Sequence, residues 1–130
     1  MPTKDKPETL IQLLASYRRA NLPKTAAGPR SLTGPAATIA NNCAATIAFA
    51  ERQLRKIAED NEQAFALCAV QEEAAALKRR CASLVRGARS RDPRKEVVSL
   101  RVQYDNFTDS VRHLVGLLDR DLVKRLDGIL

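Results

Sequence analysis

The strongest constraint on the fold is a set of three runs in which apolar residues recur at alternating spacings of three and four. This spacing puts apolar side chains on one face of an α-helix, because the helix repeats every 3.6 residues. The runs cover 36–57, 67–88 and 97–118, so each spans 22 residues, or about 33 Å of helix. Three long amphipathic helices are therefore predicted.

Pro, Gly and capping residues indicate where these helices begin and end. Pro35 and Pro93 suit first-turn positions, and Thr33 and Asp92 precede them as candidate N-caps. Residues 22–31 contain repeated Pro and Gly and predict a connection without regular structure. The predicted helices cover about 9–21, 35–59, 62–89 and 93–118, with a short terminal segment at 120–129.

Long helices joined by tight turns run antiparallel, and a short first helix can complete the bundle. Aromatic residues make up only 4% of the 130 residues and Trp is absent, which favours aliphatic helix packing over a β-sandwich. The predicted fold is all-α, an antiparallel four-helix bundle with a short first helix. It forms a single domain over residues 1–130.

Catalytic signatures are missing from the sequence. His113, the only histidine, has Asp109 alone at the (i, i+4) spacing of metal ligands on a helix, which is too few for a site, and no Gly-rich phosphate loop is present. Cys43, Cys68 and Cys81 form no CxxC pair and are predicted to fill the core. We therefore expect no enzyme activity, metal or cofactor.

The apolar segments are too short for targeting or membrane insertion. No apolar region follows the charged first residues, and no stretch of 18 apolar residues occurs. A cytoplasmic location is therefore predicted.

Positive charge is concentrated in one part of the chain. Between residues 78 and 95, eight basic residues face one acidic residue, which gives +7, equal to the net charge of the whole chain. This basic patch is either a solvated face or a surface for an acidic partner, an anionic membrane or nucleic acid. Nucleic acid is the least favoured, because no aromatic or Asn/Gln side chains accompany the cluster. The patch consists of Lys78, Arg79, Arg80, Arg86, Arg89, Arg91, Arg94 and Lys95.

Several short segments are similar to the first helical bundle of the vinculin/α-catenin family, in the same order and at nearly the same separations. The similarity covers most of the chain from Thr9 onward. It is carried by residues 31–35, 81–85, 90–93, 117–119, 123–125 and 128–130.

This resemblance implies a cytoplasmic adhesion protein that receives an amphipathic helix, of talin or α-actinin type, between its first two helices. The expected location is then at cell junctions or the cytoskeleton. The strongly basic charge, +7 overall, departs from the family pattern.

The helical spacing predicts which residues would contact such a guest. The second helix offers mostly small side chains, and the short first helix leaves half of the adjacent groove uncovered in this interpretation. A longer guest would cover more of the second helix than the first helix does. The predicted partner-helix residues are Leu10, Leu14, Tyr17, Ile39, Ala40, Cys43, Ile47, Ala50 and Leu54.

Overall fold

A computed structural model describes residues 9–23, 32–57, 61–86 and 93–130. Within these ranges the structure is helical and contains no strand, which confirms the all-α prediction. A 3₁₀ turn at Arg120–Leu122 separates the last two helices. The helices are α1 (Leu10–Ser16), α2 (Thr33–Leu54), α3 (Glu62–Val85), α4 (Pro93–Leu118) and α5 (Val123–Asp127).

The three long helices form an antiparallel array with α3 in the middle. α3 packs along α2 on one side and along α4 on the other. Arg80, near the end of α3, donates hydrogen bonds of 3.0 and 3.1 Å to Glu96 and one of 2.9 Å to Gln103. Because Glu96 lies in the first turn of α4, these contacts fix the opposite directions of α3 and α4.

The apolar faces predicted for α3 and α4 form the core. Leu77 and Cys81 of α3 and Leu100, Phe107 and Leu114 of α4 are fully buried. The seams follow the spacing of three and four residues that the sequence shows. The core cluster extends over α2 as well, where Ile39, Cys43 and Ala50 are 0% exposed.

The first helix is shorter than predicted. The sequence indicated a helix over 9–21, but α1 has seven residues and ends at Ser16. Its start is fixed by Thr9 and Gln12, which exchange side-chain and backbone hydrogen bonds of 3.2 Å in a capping box. At Tyr17 the backbone becomes extended, with φ −68° and ψ 144°, and 17–23 continues without helix. We call residues 10–23 the N-terminal segment.

Other helix boundaries also differ from the prediction. α2 begins at Thr33 with Leu32 in the N-cap position, so Thr33 is not the cap, and it ends at Leu54 rather than near 59. α3 begins at residue 62 as predicted, where Asn61 accepts a hydrogen bond of 2.8 Å from Gln63 N, but it ends at Val85 rather than 89. α4 has its predicted bounds, and its predicted cap, Asp92, lies outside the described residues.

The terminal segment turns back instead of lengthening α4. The chain breaks at Asp119, whose backbone is extended and whose carboxylate accepts from Asp121 N. Arg112 of α4 then donates a hydrogen bond of 3.2 Å to Asp127 at the end of α5. Leu126 is 0% exposed, so α5 covers the end of the core.

Candidate functional site

The N-terminal segment occupies the fourth position of the bundle, between α2 and α4. Tyr17 contacts Thr46 and Arg18 contacts Asn42, so the segment runs antiparallel to α2. Farther along, the Pro23 carbonyl accepts a hydrogen bond of 2.7 Å from Arg101 of α4. A position that a four-helix bundle gives to a long helix is thus filled by two turns of helix and a stretch of extended chain.

Apolar side chains hold the helical half of this segment in place. Leu13, Leu14 and Tyr17 are 0, 1 and 2% exposed. Leu10, the first residue of the predicted stripe, is only partly buried. Leu13 was not predicted. The predicted stripe through Leu10, Leu14 and Tyr17 covers a narrow face of the helix, whereas the structure buries a wider face that includes Leu13.

The extended half is held by the side-chain amide of Asn42, which is 1% exposed. Its Oδ1 accepts from the Arg18 backbone N–H at 3.0 Å, and its Nδ2 donates to the Arg18 carbonyl at 2.7 Å. One amide therefore satisfies both backbone groups of one residue. This pairing also explains why the helix stops, since Arg18 N–H is engaged by Asn42 and does not bond within the helix.

Thr46, one turn after Asn42, holds the Tyr17 ring through a buried hydrogen bond. Its hydroxyl donates to the Asn42 carbonyl at 2.8 Å, and the oxygens of Thr46 and Tyr17 are 2.7 Å apart. A threonine hydroxyl has a single hydrogen. Tyr17 must therefore be the donor to Thr46, and this hydrogen bond fixes the position of the phenol group.

Burial changes the acidity of the two tyrosines near this network. Loss of solvent raises the pKa of Tyr17 well above its usual range, although the hydrogen bond with Thr46 lowers it in part. Burial also raises the pKa of Tyr104 on α4. Both phenols therefore remain protonated, and neither carries charge that could serve a catalytic role near neutral pH.

The predicted partner-helix residues all belong to one core cluster. Leu14, Tyr17, Ile39, Cys43 and Ala50 are buried within it. The remainder are partly buried and packed against it, namely Leu10, Ala40, Ile47 and Leu54.

The expected uncovered half-groove is absent at the described part of α2. Ala36, Ile39 and Cys43 are 0% exposed. The reason is that the chain beyond α1 continues along α2 in extended form, which covers a greater length per residue than a helix does.

Asn42 and Thr46 are the polar residues that sequence reasoning missed. Both are polar, lie one turn apart, and adjoin the apolar run of α2, with Asn42 directly before Cys43. Asn42, next to an otherwise apolar helix face, was the sequence feature that could have indicated this network, because a buried side-chain amide needs hydrogen-bond partners.

The basic patch is only partly exposed to solvent. Lys78, Arg79, Arg86 and Lys95 are exposed, but Arg80 is half-buried in its contacts with Glu96 and Gln103. Arg80 therefore joins α3 to α4, which corrects its inclusion in the patch. Arg89 and Arg91 lie outside the described residues, as does the side chain of Arg94.

The remaining chemical candidates are dispersed. His113 is exposed on α4, and no three potential metal ligands group together among the described residues. Cys43 and Cys81 are buried as predicted, whereas Cys68 is exposed on α3, so the prediction that it fills the core is wrong. Cys68 lies beside the apolar run of α3 and not in it, since the run passes from Leu67 to Val70.

None of the described helices combines the length and apolar character needed to cross a bilayer. No protein-family model, curated protein or solved structure matches the chain. The resemblance to the vinculin/α-catenin family therefore remains a prediction from the short segments quoted above.

Proposed function

We propose that this chain is a non-enzymatic protein-binding module that takes an amphipathic helix of a partner between α1 and α2. The observation that supports it is the makeup of the fourth bundle position, which is filled by a seven-residue helix and an extended stretch. The neighbouring α2 has 22 residues. A guest helix of that length would separate the N-terminal segment from α2 and cover α2 with a continuous apolar face.

The energetic requirement is moderate. The N-terminal segment buries three large side chains, Leu13, Leu14 and Tyr17. At about 1.5 to 3 kcal/mol each, they stabilise the closed state by roughly 5 to 9 kcal/mol, as an upper estimate. Micromolar binding corresponds to about 8 kcal/mol. A guest that buries more apolar surface than these side chains can therefore displace the segment.

The cellular part of the proposal rests on the sequence resemblance. If the chain works as the vinculin/α-catenin family does, its partners carry talin-like or α-actinin-like helices, and it acts in the cytoplasm at junctions or the cytoskeleton. The core surface on α2 fits this mode, because such a helix would bind the residues that form the core of the closed bundle.

A displacement mechanism predicts that weakening the closed segment strengthens guest binding. The probe is a synthetic 22-residue amphipathic helix of zero net charge, equal in length to α2. Leu14→Ala removes closed-state burial, and such core truncations cost about 2 to 5 kcal/mol. We expect the variant to bind the probe at least about tenfold tighter than the parent protein in fluorescence anisotropy.

Leu77→Ala is the matched control, because Leu77 is equally buried but belongs to α3 and not to the N-terminal segment. It should destabilise the bundle without tightening probe binding. Equal or weaker binding by Leu14→Ala would show that the guest does not replace the segment. Repeating the titration at high salt tests the alternative, since binding through the basic patch would weaken steeply.

A further inference from the structure

The buried amide of Asn42 limits which helices can replace the N-terminal segment. This inference rests on the proposed function. In the closed bundle both polar groups of the amide are satisfied by the Arg18 backbone, at 3.0 and 2.7 Å. Displacement of the segment removes both bonds at once. The amide then lies under the guest in a site that is 1% exposed when covered.

An apolar guest helix cannot restore these bonds. Its own backbone N–H and C=O groups are already paired within the helix, so only its side chains can reach Asn42. The Tyr104 hydroxyl beside Asn42 can pair with only one polar group of the amide, so an apolar guest leaves the other group unpaired and binds about 10- to 100-fold more weakly. A side chain that both donates and accepts in one plane removes this loss, and Asn and Gln are the residues that do so.

Thr46 places no comparable demand on the guest. Its hydroxyl donates to the Asn42 carbonyl within α2, at 2.8 Å, and keeps this bond after Tyr17 leaves. The guest therefore needs a hydrogen-bonding side chain only opposite Asn42.

A second polar atom adjoins this position. The Tyr104 hydroxyl of α4 is buried near Asn42 and has no hydrogen-bond partner of ordinary geometry among the described residues. An incoming amide could pair with Asn42 and offer its remaining donor or acceptor to Tyr104. The site thus has polar capacity that the closed bundle leaves unused.

We propose that Asn42 selects partners whose amphipathic helix carries Asn or Gln at the one apolar-face position opposite it. The recognised partner is then an amphipathic helix with a single amide in an otherwise aliphatic stripe. Asn42 acts by hydrogen bonding with the guest, and the other α2 residues act by apolar contact.

A positional scan tests this proposal on the unmodified protein. The parent probe is the 22-residue helix with Leu at alternating spacings of three and four, and each variant probe carries Asn in place of one Leu. At most positions Asn should weaken binding by about 10- to 100-fold, because it places an unpaired amide against apolar side chains. At one position the loss should be absent or replaced by a gain.

In the protein variant Asn42→Leu, Asn at the tolerated probe position should weaken binding as much as Asn does at every other position. Thr46→Val is the control and should keep the exception, since Asn42 remains in place. Each comparison is a ratio of two probes on one protein, so a changed cost of opening cancels. Far-UV circular dichroism melts show whether each variant is folded, and the scan on the unmodified protein is decisive by itself.

The outcomes separate this inference from the proposed function. If the parent probe binds and Asn is equally costly at every position, the role of Asn42 is wrong while helix insertion stands. The same holds if the exception persists in Asn42→Leu. If no probe binds, helix insertion fails and the inference fails with it.

Discussion

Arg80 illustrates how one side chain can serve the fold while its neighbours remain available to solvent. Its guanidinium reaches Glu96 and Gln103 on α4, and the side chains of Arg80 and Glu96 are 25 and 19% exposed. Arg79, the preceding residue, is exposed. Adjacent helical positions point in different directions, so the basic patch contains both structural and solvated charges.

Arg80→Gln should lower the free energy of unfolding by about 1 kcal/mol, because the half-buried, charge-assisted hydrogen bonds between Arg80 of α3 and Glu96 of α4 are lost. Urea denaturation at neutral pH measures this change. Arg79→Gln is the matched control and should change stability by less than about 0.5 kcal/mol. Equal effects of the two substitutions would show that the ion pair between α3 and α4 contributes nothing specific.

At the scale of the helix, the N-terminal segment is held by few but specific contacts. α1 has seven residues and an isolated helix of that length is unstable in water, so its order depends on docking to α2. The long helices have continuous seams in the core. The segment is accordingly the element that we expect to open at the lowest free energy.

Hydrogen exchange measured by NMR should show this difference. Amides of residues 10–17 should exchange faster than those of 77–84 and 107–114, and a bound guest helix should alter exchange most in α1 and α2. Within the segment, the Arg18 amide should be protected by at least about tenfold over the Arg19 amide, since it donates to Asn42 Oδ1. Asn42→Ala should abolish this local protection. Segment amides as slow as those of α3 would argue against opening at this interface.

The sequence predicts the long helices well because their apolar spacing is maintained over six turns, and local and tertiary preferences agree there. The spacing also identifies Ala36, Cys43 and Ala50 as core residues, whereas Ala40, Ile47 and Leu54 of the same run are only partly buried. It fails at Arg18 and Arg19, which favour helices intrinsically. The choice between helix and extended chain is made there by Asn42, which is 24 residues away from Arg18. A tertiary hydrogen bond of this kind leaves no periodic pattern.

For the molecule as a whole, burial of acidic groups makes folding sensitive to alkaline pH. Loss of solvent raises the pKa of Cys81 to about 11 and that of Cys43 higher still. An unfolded chain releases these thiol protons above about pH 8.5. The folded protein keeps them, so the unfolded state binds fewer protons and stability falls as pH rises.

We expect the free energy of unfolding to decrease between pH 9 and 11, by up to about 1.4 kcal/mol per pH unit for each buried thiol. Urea titrations at several pH values test this. Cys43→Ala should make the dependence shallower, although it also lowers stability at neutral pH. Cys68→Ala provides the control, because Cys68 is exposed. A dependence that Cys43→Ala leaves unaltered would show that this thiol does not resist ionisation.

The N-terminal segment contacts residues that the ribosome adds to the chain much later than the segment itself. Arg19 donates to the carbonyl of Gly128 across 109 residues, at 3.4 Å. At about 5 to 20 residues per second, a ribosome needs roughly 5 to 22 s to add that length of chain. During this interval Leu13, Leu14 and Tyr17 have been synthesised, but the surface that buries them is incomplete. Each newly made chain therefore passes through a period in which these residues are open to chaperones, well before the finished bundle covers them.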